Sequence, residues 1–107
     1  MIDADIRAAV ASFSYPCAAN EYAGTAETYF VFNYSVIPVD FSDDEPQHEK
    51  YLVQLHLVAP LTSDLAATRK LIRQAIQAAF MYPTETNVSD EKKQHFVFEF
   101  EGVGSAG

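Results

Sequence analysis

The spacing of apolar positions switches from helical to alternating and back along this chain. Ile2, Ile6, Ala9, Val10 and Phe13 recur at steps that share one helical face. Asp3 and Asp5 stand near the start of that segment, where carboxylates favour the helix dipole. Tyr15-Pro16 should end it, because the residue before proline is pushed out of helical geometry. Cys17 to Ala26 is small and polar with a break at Gly24, which predicts a short extended piece or a loop.

From Thr28 to Ile37 the residues are almost all aromatic or β-branched, the types that suit a pleated surface. Pro38 closes this strand or begins an edge. Val39 to Glu49 carries Asp40, Asp43, Asp44, Glu45 and Glu49 around Pro46, and reads as an acidic loop of about ten residues. A second strand is predicted from Lys50 to Ala59, stopped by Pro60. Thr62 or Ser63 then offers a cap for a helix. Its buried stripe is Leu65, Thr68, Ile72, Ala75, Ile76, Ala79 and Phe80, and Pro83 bounds its far side. A short strand fits between Tyr82 and Val88, with a turn at Ser89-Asp90-Glu91. The last strand alternates, with Phe96, Phe98 and Phe100 on one side and His95, Val97, Glu99 and Glu101 on the other. The small residues 102–107 read as a flexible tail on a single domain of residues 1–101. The expected fold is an α+β sandwich in the order α-β-β-α-β-β. Its mainly antiparallel sheet has about four strands, with two helices on one face.

The two central strands are apolar on both faces. Phe30, Phe32, Tyr34 and Val36 share one side of the first, and Tyr29, Val31 and Ile37 the other. In the second, Tyr51, Val53, Leu55 and Leu57 oppose Leu52 and Val58. An antiparallel sheet with one wet face alternates more cleanly than this. Two helices cover one face, so the other calls for a second copy of the chain.

Composition narrows the classes. The chain has 107 residues, is 49% hydrophobic and carries a formal charge of −8, which suits one globular domain and argues against disorder. No apolar run reaches the roughly 20 residues of a membrane-spanning helix, and no secretory leader opens the chain. One cysteine, Cys17, cannot form an internal disulfide and fits a reducing intracellular setting. The negative charge speaks against general affinity for nucleic-acid phosphate.

No chemical constellation stands out. His48, His56 and His95 lack ligand spacing, although the strands of His56 and His95 are possible neighbours. The acidic loop lacks the alternating order of a calcium loop. Cys17 has no activating motif, and no glycine loop cradles phosphate. Glu99 and Glu101 share a strand face about 7 Å apart, a glycosidase-like spacing without a cleft. The expectation is a protein that is not an enzyme and holds no metal or cofactor.

Three segments carry a resemblance. They are Tyr29-Phe30-Val31-Phe32-Asn33, then Glu49 to Leu57, and the helix end Ile76-Gln77-Ala78-Ala79-Phe80 together with His95 to Phe100. In these, and in the order of its elements over about residues 1–101, the sequence resembles the small tail-completion, or tail-terminator, proteins of long-tailed bacteriophages and prophages. One departure is Ala79, where many members carry glycine. The resemblance implies a structural role: a ring, typically hexameric, at the head-proximal end of the tail tube. Such a ring stops tube growth and meets the head connector, so the partners would be further copies, the tube protein and connector proteins. Location would be the bacterial cytoplasm during assembly and then the virion tail. The expected subunit interface comprises Tyr29, Val31, Tyr51 and Leu52, with Asp43, Asp44 and Glu45 of one copy near Arg69, Lys70 and Arg73 of the next. Charge complementarity of this kind fixes register more than it adds affinity. DNA would pass through such a ring without specific binding, and a negative or neutral lumen would help. The alternative is a dimeric, ferredoxin-like module that binds a peptide or small ligand in an aromatic pocket.

Overall fold

The computed structural model describes the backbone of residues 2–42 and 45–105, with side chains over 2–37 and 49–103. Helix α1 (Ile2–Val10) buries Ile2, Ile6 and Val10, one residue per turn along a single stripe. A 3₁₀ turn (Ala11–Phe13) follows, and Ser14, in a left-handed conformation at φ 61°, closes it. Helix α2 (Ala66–Ala79) buries Ile72 and Ile76, with Leu65 buried just before it. Its first amide is met by Asp64 rather than by Thr62 or Ser63: Ala66 N–H donates to Asp64 Oδ1 at 3.3 Å.

Five strands form one sheet: β1 (Cys17–Ala19), β2 (Tyr29–Ser42), β3 (Glu45–Pro60), β4 (Thr84–Asn87) and β5 (Lys93–Ser105). Their spatial order is β1-β2-β3-β5-β4, with β1 parallel to β2 and every other pair antiparallel. The architecture is therefore α+β as expected, but the sheet is mixed and has a fifth strand. That strand is β1, where the sequence predicted an extended piece or a loop. Three residues are too few to show alternation, and its pairing is tertiary. Phe30 N–H donates to Pro16 O at 2.7 Å and Asn20 N–H to Phe32 O at 2.8 Å.

Both helices pack on one face of the sheet. The core joins Ile2, Ile6, Val10, Leu65, Ile72 and Ile76 to Phe30 and Phe32 of β2, Val53, Leu55 and Leu57 of β3, and Phe96, Phe98 and Phe100 of β5. Full burial of each large apolar side chain stabilises the fold by roughly 1.5–3 kcal/mol. The opposite face has no helix over it among the described residues.

Two boundaries differ from the sequence reading. Residues 39–42 and 45–49 are strand rather than loop: β2 and β3 stay in register from Tyr29↔Val58 out to Ser42↔Glu45. Alternation was masked here by the acidic residues and by Pro38 and Pro46. Pro38 is tolerated because β1 reaches only Phe32, which leaves β2 an edge strand from there on. Residues 102–105 are no tail either, since β5 continues to Ser105 opposite His48. Gly102 is buried, and a Cβ there would lie 3.2 Å from Phe80 and 3.3 Å from Ile2. The helix layer stops near this point. Beyond it the β2–β3 hairpin, with β5 alongside for part of its length, forms an arm, and the molecule measures 54 × 26 × 23 Å. Its radius of gyration, 15.1 Å, exceeds the about 13 Å of a compact domain this size.

Candidate functional site

The open sheet face collects most of the side chains that carry chemistry. Alternation sends Tyr29 and Val31 of β2, Leu52, His56 and Val58 of β3, and His95 and Glu99 of β5 to this side, away from the helices. His56 lies opposite Val97, and Val58 opposite His95, so the two histidines are diagonal neighbours. Their rings meet, with His56 Nδ1 2.8 Å from His95 Nε2. Burial holds both imidazoles below the ordinary histidine range. For His56 the neighbouring His95 adds to the depression and Glu99 opposes it, while for His95 the added cause is Lys93 and the opposing one Asp90.

Beside this pair lies a shallow groove of about 300 Å³, whose lining includes Asn20, Tyr22, Tyr29, Val31, His56, Lys93 and His95. One wall is a stacked pair, Tyr22 on Tyr29, with centroids 4.3 Å apart. Ala26 N–H donates to Tyr22 Oη at 3.0 Å. The Tyr22 hydroxyl also sits where a Cβ on Gly24 would fall, at 2.2 Å, so only glycine fits there. Asn20 turns the chain into this segment in a left-handed conformation, φ 68°, one that asparagine tolerates better than most residues. Sequence reasoning placed His56 and His95 on possibly neighbouring strands but missed Tyr22, Asn20 and Lys93. Nothing in a polar loop announces that its tyrosine folds back across a strand edge.

Two imidazoles face each other, and no group of three or more His, Cys, Asp or Glu able to hold a metal occurs among the described residues. Glu101 is bound by Lys50, Oε1 to Nζ 2.9 Å, so Glu99 and Glu101 do not stand as a free acid–base pair. Cys17 is half-buried; burial pushes its thiol up, and the nearby Arg7 only partly offsets this. That is the environment of a structural thiol rather than a nucleophile.

The expected interface residues fall into four groups. Tyr29, Val31 and Leu52 do share the open face. Tyr51 belongs to the helix side, where it packs against the core and meets Tyr34 edge-on at 5.5 Å. Its hydroxyl donates to Glu49 Oε2 at 2.7 Å, and that of Tyr34 to Asp3 Oδ1 at 2.5 Å. Both phenols are pushed up by these carboxylate acceptors.

Arg69 and Arg73 turn inward along the sheet edge. Arg69 Nε donates to Glu85 Oε2 at 2.9 Å and Nη2 binds the same oxygen, while Arg73 Nη1 takes Oε1. The Arg69 guanidinium also lies over the Phe96 ring, 4.1 Å from its centroid. These two arginines staple α2 to β4 within one chain, a use the sequence reading did not foresee; Lys70 stays exposed. Asp43 and Asp44 lie outside the described residues, and Glu45 is described only as the backbone partner of Ser42.

Fold and site together define a small α+β domain with one covered face, one open face and a projecting hairpin. No family model matches the chain, and no curated protein matches it. A solved structure whose name says nothing of function aligns over 99% of this chain and 94% of its own, at a TM-score of 0.65 and 8% identity. At that identity the likeness shows a shared fold alone.

Proposed function

We propose that this chain is a structural subunit of a phage or prophage tail, of the tail-terminator kind. On this reading copies form a ring on the head-proximal end of the tail tube, stop its growth and join it to the head connector. The chain catalyses nothing and needs no cofactor. Its partners are other copies, the tube protein and connector proteins, and DNA passes through the ring without specific binding. It works in the bacterial cytoplasm during assembly and afterwards in the virion tail.

The observation that supports this reading is the arm. A two-stranded hairpin is marginal in water by itself, yet β2 and β3 stay paired beyond the reach of β5, out to Ser42↔Glu45. On the open face at the arm's base Ile37 is 42% exposed, Leu52 40% and Val103 70%. Such a patch is what a neighbouring subunit would cover. The arginine staple sharpens the test, because reversing Arg69 and Arg73 would break contacts to Glu85 inside the chain and confound any effect on assembly.

The cleaner variant replaces residues 38–49 by Asn-Gly, joining Ile37 to Lys50 through a two-residue turn where they already pair. Native mass spectrometry should show a ring for the full chain and monomers for the short-arm variant, with its folded signature intact. Flanking genes for a tail tube, a tape measure and a head connector are also expected. A chain that stays monomeric even with tail tubes added would overturn the reading.

A second reading has one observation in its favour, the groove beside Tyr22 and Tyr29. It makes the chain a non-enzymatic binding module for a peptide or small ligand. A small, concentration-independent size in solution separates it from the ring.

A further inference from the structure

The contact between His56 Nδ1 and His95 Nε2, at 2.8 Å, is a single hydrogen bond, and such a bond limits how many protons the pair can hold. One facing nitrogen carries the hydrogen and the other must offer a lone pair. With both rings neutral this condition is met. One added proton also meets it, because an imidazolium then donates to an imidazole, a charge-assisted bond. A second added proton does not. Both facing nitrogens then carry hydrogen, the bond has no acceptor, and two positive rings stand at contact distance.

We propose that the His56–His95 pair is a proton-operated latch on the open sheet face. It stays closed with none or one added proton, and the second proton parts the rings and reshapes the groove beside Tyr22 and Tyr29. The backbone need not move. His56 and His95 hang from β3 and β5, whose ladder runs unbroken on both sides of them, so rotation of two side chains suffices.

The surroundings make the two rings unequal. Asp90, from the turn before β5, favours a proton on His95, Lys93 of β5 opposes it, and Glu99 of β5 favours one on His56. From the segment that crosses the β2 edge, Glu21 and Tyr22 line the same groove, with Tyr29 of β2. Val31 stands opposite His56 on β2 and Val97 on β5, while Thr86 of β4 lies beyond Val97. No ionisable group therefore sits directly across the strand from His56.

The test is an NMR titration of the full chain from pH 8 to pH 5, following the imidazole rings and the Tyr22 and Tyr29 ring signals. The pair should titrate in two steps separated by more than about one pH unit, and the tyrosine signals should move with the lower step. In His56→Gln the remaining His95 should titrate in one step, and the tyrosine movement should vanish; His95→Gln should do the reciprocal. Should one variant fail to fold, the other and the unaltered chain still give the answer. Independent single-step titrations in the unaltered chain, unchanged when the other histidine is replaced, would overturn the latch.

Discussion

At Glu85 burial alone would raise the carboxyl pKa, but hydrogen bonds from Arg69 and Arg73 outweigh it and hold the group below its usual range. The side chain is 12% exposed and its arginine partners 31% and 25%, so the contacts are only partly screened. Hydrogen bonds to charged groups contribute about 1.5–3 kcal/mol, and Glu85→Gln should cost about 2 kcal/mol in urea unfolding. A depressed carboxyl also makes stability fall as pH drops from the unfolded value of about 4.5 through the folded one, a loss that Glu85→Gln should remove. The histidines act at higher pH. Their folded values lie below the ordinary 6.5, so the unfolded chain takes up their protons first. Their contribution is complete above about pH 6.5 and shrinks as pH falls toward the folded values. The urea midpoint should be flat from pH 7 to pH 8 and decline below that, and His56→Gln should remove the His56 share of that decline while leaving that of His95. None of the side chains across from these residues could be read from spacing, because the Glu85 staple and the histidine contact are both made between elements.

Elements with long periodic runs were readable from the sequence, and those defined by their neighbours were not. The alternation of Phe96, Phe98 and Phe100 buries all three, and the stripe of α2 buries Leu65, Ile72 and Ile76, with Thr68, Ala75 and Phe80 half-buried and Ala79 exposed. Strand β1 failed to show because only β2 makes it a strand. The far end of β5 failed because its small residues look like a frayed tail, whereas Gly102 is small so that Ile2 and Phe80 can close over it. Gly102→Val should therefore destabilise by about 1–3 kcal/mol through overpacking, read as a lowered thermal midpoint. Phe98→Ala, at the fully buried centre of β5, should cost more, about 3–5 kcal/mol. Equal effects of the two changes would mean that the seam at Gly102 packs as tightly as the centre.

At the scale of the whole molecule, apolar residues on both faces of the central strands pointed to a surface that one copy leaves bare. The structure has that surface: helices on one side, and Tyr29, Val31 and Leu52 on the other. Whether further copies cover it, as proposed, is read from the size of the protein in solution and from the short-arm variant. The seam where Ile2 and Phe80 meet Gly102 also joins stretches that lie far apart in sequence, since Ile2 opens α1 and Gly102 sits near the far end of β5. A contact of such separation carries a large loop-closure cost before it rewards the chain. That end of α1 is thus the clasp of the domain rather than its seed.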